Sequence, residues 1–388
     1  MASPHPDIRT AVLGYGLAGR VFHCPFVSAV PGLQLAAIAV RSPESAHRTA
    51  SLTAAAYPGV PVLPSMQAAL DDPSIDLIVV ATPNDTHVEL AEAALRASKH
   101  VVVDKPLAPT SHEANHLIDL AARHGRVLAP FHNRRYDGDF LTLRKLAEDN
   151  TLGRITEIQS HYDRYRPLQR PNTWKEAAGP ASGVLFDLGP HLLDQALALF
   201  GSPTHITASV RSDRDHTDIV DAFDITLDYS VPANTPSARP LRYLCSATML
   251  AAEPSPRFLV HGTHGSYTKF GLDPQEATLL AGGRPPRLGS SVIPGHASAA
   301  PAWLPEPQSA WGILTSALQR EEPVKLERSD YPTVTGDYRL FYANVRDAIR
   351  GDAALAIPAA AGFRTIRLIE LAIQSSQEKR TLPVNFTA

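Results

Sequence analysis

Ile8-Arg9-Thr10-Ala11-Val12-Leu13-Gly14-Tyr15-Gly16-Leu17-Ala18-Gly19 is the stretch on which the fold turns. A short apolar run enters three glycines in the pattern G-x-G-x-x-G, and a helical segment follows. Glycine permits the tight turn and the close approach of backbone to a ligand, while the first N–H groups of the next helix are unpaired and face an anion. The pattern alone is a weak signal, and a glycine turn without function is the bland alternative. The strand before it and the rhythm after it favour a cradle for the pyrophosphate of a dinucleotide, with Gly14, Gly16, Leu17, Ala18 and Gly19 lining it.

Outward from this point the chain alternates strand and helix. Leu35–Val40, Leu77–Ala81, His100–Val103 and Val127–Phe131 are short apolar runs. Between them, Thr86–Ala97 carries Val88, Ala91 and Leu95 at helical spacing, which predicts one face against a sheet. Such βα units imply a doubly wound parallel sheet, so residues 1–131 are expected to form a Rossmann domain. After residue 132 the pattern changes to strict alternation. Phe223, Ile225, Leu227 and Tyr229 interleave with polar residues, as do Ile206, Ala208 and Val210, and this period of two predicts antiparallel strands with one covered face. Residues 132–388 are therefore expected to form an α+β domain on a large open sheet, covered on one side by helices at Gly189–Phe200 and Gly362–Ile373. The other side is wide enough for an oligomer interface. Val231–Pro240 and Gly282–Pro307, rich in Pro, Ala, Gly and Ser, are expected to be surface loops.

Composition narrows the function classes. The 388 residues are 44% hydrophobic and 19% charged, with a net charge of −3, which leaves no basic footprint for nucleic acid. Cys24 and Cys245 are the only cysteines, so neither a disulfide framework nor a Cys-rich metal site is expected. No apolar run approaches the ~20 residues of a membrane span, and the N-terminus lacks a secretory pattern. A cytoplasmic location is the expectation.

Several residues carry chemistry. Cofactor choice should be legible after the second strand, where an acidic residue would bind the ribose 2′-hydroxyl. Arg41-Ser42 stands there instead and suits a 2′-phosphate, which favours NADP; nearby Glu44 leaves NAD open, and Arg41 could be an ordinary loop residue. Lys105 lies at the carboxyl end of a strand, where doubly wound folds bind ligands, and Pro106 fixes the backbone after it. Without such a context it would read as a solvated lysine. Ser182–Asp194 reads as a loop entering a helix, in which Asp187 and His191 share a face if helical geometry already holds; a carboxylate beside an imidazole favours a proton-accepting histidine. A capping Asp and a structurally satisfied His are the alternative. His112-Glu113-Ala114-Asn115-His116 matches the zinc-hydrolase spacing H-E-x-x-H. The apolar stripe Ala114, Leu117, Ile118 and Ala121 places both histidines on the solvated face, and Thr110 reads as a helix cap, so no metal is expected.

Taken together, Gly14–Gly19 with Arg20–His23, Thr82–His87, Lys99–Pro106 and Gly183–Asp194 resemble the glucose–fructose oxidoreductase / inositol dehydrogenase / MocA family. Phe131–Asp137, Tyr162–Pro167 and His261–Tyr267 are similar to its NADP-dependent scyllo-inositol dehydrogenase branch. The resemblance spans nearly the whole chain. It implies a Rossmann domain, an open mixed sheet, and a nicotinamide-dependent oxidoreductase whose substrate lies between them. Within the matching motifs it implies that Thr82, Pro83, Asn84, His87, Asp104, Lys105, Asn133 and Arg134 attend the cofactor. Lys105 would assist proton transfer, Asp187 would bind a substrate hydroxyl or orient the base, and His191 would be the general base. Many members have Glu where Asp104 stands. Tyr162, Arg164 and Trp174 are candidates for a polyol pocket, each equally readable as a core or rim residue. The implied substrate is a cyclic polyol or sugar, acted on by a homodimer or homotetramer. Two rivals are an aldose dehydrogenase or sugar carbonyl reductase, and a non-catalytic, nucleotide-binding sugar-sensing regulator.

Overall fold

Residues 5–170, 176, 179–229, 239–289 and 303–386 are described in the computed structural model. Two compact units emerge: Met1–Asn133 with Gln275–Trp303 and Asp337–Phe363, and Arg134–Pro274 with Leu304–Gly336 and Arg364–Ala388. Beyond Asn133 the chain thus returns twice to the first unit. Packing explains these returns. Phe341 meets Phe131 edge to face at 4.8 Å, and the Tyr342 hydroxyl lies 2.7 Å from His23 Nδ1, so these apolar side chains complete the first core.

The first unit is built on strands β1 (Ile8–Leu13), β2 (Leu33–Ala39), β3 (Val62–Leu63), β4 (Leu77–Val80), β5 (His100–Asp104) and β6 (Leu128–Phe131). Every pairing is parallel, and the order is β3-β2-β1-β4-β5-β6. β4 and the interior of β5 are buried along their length, as continuous Leu/Ile/Val runs require in a sheet covered on both faces. Strand order reverses between β1 and β4, the switch point at which open α/β sheets bind ligands beyond the carboxyl ends of their strands. The helices are α1 (Cys24–Ala29), α2 (Pro43–Thr53), α3 (Met66–Asp71), α4 (His87–Arg96) and α5 (Ser111–His124). In α5 Thr110 and Glu113 form a reciprocal capping box. The carboxylate of the H-E-x-x-H stretch is thus spent on the helix start, while His116 pairs with Glu92 at 3.1 Å. Leu120 rather than Ile118 completes the buried stripe of this helix.

The second unit begins with α6 (Gly138–Glu148) and carries β7 (Ile155–His161), α7 (Gly183–Phe200), β8 (His205–Arg211), β9 (Ala222–Tyr229), β10 (Leu241–Thr248), β11 (Phe258–Gly262), β12 (Gly265–Lys269), β13 (Gly312–Gln319), β14 (Lys325–Tyr331) and β15 (Leu382–Pro383). They form one nine-stranded sheet in the order β14-β13-β12-β11-β7-β10-β9-β8-β15. All its pairings are antiparallel except that of β7 with β10. Alternation sets which face is covered: Ile225, Leu227, Tyr243 and Cys245 point inward, against Leu188, Leu192 and Ala196 of α7. α8 (Pro274–Leu280) and α9 (Arg339–Arg350) fall in the stretches that return to the first unit, whereas Ile366 and Ile369 of α10 (Ala359–Glu378) join the core of the second.

At the described start of the expected surface loop Gly282–Pro307 the chain has no regular structure and is mostly exposed, yet it is anchored to the first unit. The Leu288 side chain is buried and its N–H donates to the Ala29 carbonyl, and Arg284 lies over the Tyr57 ring while donating to the Ala56 carbonyl. A single buried leucine in a Pro- and Gly-rich context leaves no periodic signal, which is why the sequence does not announce this anchor. Residues 290–302, like 230–238 of the other expected loop, lie outside the described residues.

Candidate active site

In the first unit, parallel pairing brings distant segments to one edge of the sheet. Gly14–Gly19 follows β1, Arg41-Ser42 lies just beyond β2, Thr82–Asn84 just beyond β4, and Lys105-Pro106 follows β5. Gly14 has φ +99°, and a Cβ there would strike the Ala81 carbonyl; a Cβ on Gly19 would strike the Gly14 carbonyl. A Cβ on Gly16 would meet nothing within 4 Å. The first and last glycines are thus demanded by close backbone packing, while Gly16 and Leu17 look onto open space. Bare backbone at the switch point fits a pyrophosphate. Beyond Ala18 the helix widens to a π turn over Gly19–His23, a local distortion often found at functional sites.

Asp104 accepts the Lys105 N–H at 2.9 Å, so its carboxylate shapes the turn that presents the half-buried lysine. The Lys105–Pro106 peptide is cis. His87 is fully buried, with Nδ1 2.8 Å from the Pro106 carbonyl and Nε2 3.0 Å from the Thr82 carbonyl. It therefore ties the loop after β4 to the loop after β5. Ser42 is also partly spoken for: its hydroxyl caps α2 by accepting the Ser45 N–H. Arg41 is exposed and makes no ion pair or side-chain hydrogen bond with the described residues.

In the second unit, α7 starts a full turn earlier than the expected Gly189. Gly183 adopts φ +80°, and a side chain there would strike the Val220 carbonyl, to which Val184 donates at 2.8 Å. Helical geometry thus already holds at Asp187, and Asp187 and His191 occupy one face at i, i+4. Pro190 between them has no N–H to offer the Phe186 carbonyl, the local cost of this motif. Asp187 stays partly exposed, with Arg164 Nη1 3.9 Å from its carboxylate. His191 is buried, its ring 6.2 Å from that of Tyr162 in an edge arrangement.

Behind His191 lies a polar network that the motifs did not announce. Arg257, only 2% exposed, sits over the Tyr162 ring at 4.1 Å and pairs with the buried Asp139 at 3.0 Å. It donates to Ser160, to the Tyr162 hydroxyl and to Gln195 Oε1, and Gln195, one turn beyond His191, donates to the Arg134 carbonyl. Burial pushes the Tyr162 hydroxyl well above the ordinary tyrosine range, so it stays protonated. Tyr162 thus packs against the histidine as a buried residue, one of the readings its sequence left open. Arg134 is likewise buried, held by Asp137 at 3.2 Å and facing the Tyr162 ring at 5.2 Å. Asn133 is buried as well. Trp174 lies outside the described residues. The one signal for the network was in the alternation of β7, where Ser160 and the following Tyr162 fall in phase with buried Ile158; Arg257, just before β11, is out of phase with inward Phe258 and Val260 and gave none.

A dinucleotide cradle at a Rossmann switch point and a helix-borne Asp–His pair on an open sheet define a family of oxidoreductases. Residues 8–132 match the family model described as "Oxidoreductase family, NAD-binding Rossmann fold", and residues 144–386 match its "C-terminal alpha/beta domain". The chain belongs to this Gfo/Idh/MocA oxidoreductase family. It is similar to the uncharacterized oxidoreductase YdgJ of Escherichia coli (strain K12), 41% identical across 97% of this chain and 98% of that one. It is also similar to scyllo-inositol 2-dehydrogenase (NADP(+)) IolW of Bacillus subtilis (strain 168), at 35% across 97% and 95%. The solved structure of yvaA from Bacillus subtilis superposes with a TM-score of 0.85 at 34% identity, covering 98% of this chain and 99% of that one. The chain is accordingly an NAD(P)-binding oxidoreductase.

Proposed function

We propose that this chain moves a hydride between NADP, favoured over NAD, and a carbinol or carbonyl carbon of a cyclic polyol or sugar, as a scyllo-inositol-like dehydrogenase. The observation that carries the reading is the Asp187–His191 pair on one face of α7, with the imidazole braced from behind and the carboxylate left open toward solvent. Similarity to a protein named as an NADP-dependent inositol dehydrogenase supports the substrate class and, with Arg41, the choice of nucleotide.

The bound nicotinamide would supply a hydride acceptor, or a donor in reverse. Gly14–Gly19 would hold the pyrophosphate on backbone N–H groups, and Arg41 would meet a 2′-phosphate. His191 takes the proton of the substrate hydroxyl, and Asp187 orients that histidine or accepts from a neighbouring hydroxyl. Lys105, aimed by Asp104, supplies a cation to the developing oxyanion. A protein of this kind would work in the cytoplasm as a dimer or tetramer. Leu318 and Leu326, 65% and 63% exposed on β13 and β14, give the sheet an apolar stretch suited to such an interface.

The test is a panel of inositols and sugars read by cofactor absorbance in both directions with each nucleotide, on the wild type and on Lys105→Met and His191→Ala. Each variant is expected to lose ~100-fold or more in turnover while binding nucleotide within a few-fold of wild type. Full activity in both would overturn the roles. An aldose accepted in place of inositols would identify the sugar dehydrogenase alternative, and nucleotide binding without turnover of any substrate would identify a regulator.

A further inference from the structure

Four arginines and three carboxylates gather around the exposed end of the Asp187 face. Arg170 pairs with Glu176 at 2.8 Å, Arg214 with Glu176 at 3.0 Å and with Asp221 at 2.8 Å, and Arg164 stands 3.9 Å from Asp187. The fourth, Arg166, is half-buried and forms no ion pair or side-chain hydrogen bond among the described residues. Among the described residues it is thus the one of these four arginines without an ion-paired carboxylate.

Backbone geometry sets where that charge points. The segment is extended: Arg164 and Arg166 donate their N–H groups to Thr248 and Met249, and Tyr165 between them bridges Leu250 and is 60% exposed. In extended chain, neighbours alternate sides, so Arg164 and Arg166 turn together away from the side that Tyr165 presents to solvent. Glu176 and Asp187 are the acids that act on the Arg166 guanidinium. Burial first, and then the charges of Arg164 and Arg170, hold the arginine below its ordinary range. A partly desolvated guanidinium crowded by like charge is an unfavourable arrangement in the free protein, and an incoming anion relieves it.

We propose that Arg166, aided by Arg164, is an anion-binding subsite beside Asp187 and His191, and that the substrate is an acidic sugar or polyol bearing a carboxylate or phosphate away from the carbon oxidised. This rests on the dehydrogenase reading and narrows it. Arginine matches both anions through its planar fork, so the geometry names the shared chemistry and experiment separates the two.

The experiment compares kcat/KM for glucose, glucuronate and glucose 6-phosphate, and for myo-inositol and an inositol monophosphate, on the full-length chain with saturating cofactor. At least one acidic compound should exceed its neutral counterpart ~10-fold or more, and Arg166→Ala should cut that acidic-to-neutral ratio ~10-fold. Which acid is preferred distinguishes carboxylate from phosphate. Calorimetric titration with glucuronate and glucose 6-phosphate runs alongside, on wild type, Arg166→Ala and the milder Arg166→Gln, so that the subsite is read without turnover. Oxidation of neutral compounds with no preference for acids and no anion binding would overturn the subsite and leave the dehydrogenase reading standing. Anion binding that weakens ~10-fold in both variants, with no compound turned over, would uphold the subsite while the dehydrogenase reading fails.

Discussion

Arg257→Met removes the centre of the network behind His191 while keeping most of the side chain's apolar stem. The guanidinium is buried, paired at 3.0 Å with Asp139, which is itself fully buried, and packed between Tyr162 and Phe258 at 4.1 and 4.0 Å. Neither Arg257 Nε nor Asp139 Oδ2 makes a well-aligned hydrogen bond, so the pair acts through charge. Without the arginine, Asp139 keeps the Phe140 N–H at 2.6 Å as its remaining support. An uncompensated buried charge of this kind costs ~3–5 kcal/mol, and methionine limits the cavity contribution. The loss should appear as a lower denaturation midpoint in urea at unchanged slope. Adding Asp139→Asn removes the stranded charge, so the double variant should regain ~2 kcal/mol or more over Arg257→Met alone. Activity should report the same event differently: with Tyr162 and Gln195 released, turnover should fall ~10-fold while nucleotide affinity, a property of the first unit, stays within a few-fold. A single variant within ~1 kcal/mol of wild type, or a double variant no better than the single, would refute the reasoning.

Other expectations are more local. Arg41→Asp should weaken NADP ~10-fold or more in a fluorescence titration, since a charge-assisted phosphate contact contributes ~1.5–3 kcal/mol, and unchanged affinity would remove Arg41 from the site. His23 should make stability depend on pH. Burial lowers its pKa to about 4, so the folded protein holds it neutral where an unfolded chain, near pH 6.5, begins to protonate it. Its contribution is complete above pH ~6.5 and lost as pH falls toward 4, on the order of 3 kcal/mol, and His23→Gln should flatten the fall in Tm over that window. Light scattering at micromolar concentration should return the mass of a dimer or tetramer; a strict monomer would leave the outer face of the large sheet without the role given to it.

Much of the fold was legible because its signals are local. The apolar runs entering Gly14 and Lys105 declare parallel strands buried on both faces, and the alternation through Phe223, Ile225 and Leu227 declares an antiparallel sheet covered on one. Lys105, Asp187 and His191 could be named as candidates because each sits in a motif whose residue types already suggest chemistry. Roles that depend on what surrounds a side chain were not legible. His87 and Arg134 fall inside family motifs, yet both are buried on protein partners; Tyr162 offers a hydroxyl to any reader of the sequence, but Arg257, nearly a hundred residues on, already donates to it. Gly183 starts a helix early only because Val220 crowds it, and Leu288 is buried only because the first unit provides a place. Sequence by itself determined period, turn chemistry and the identity of the reactive groups, all of which act over a few residues. Partnership, burial and the crowding of charge at Arg166 came from residues brought together over long separations, and only the tertiary structure decides those.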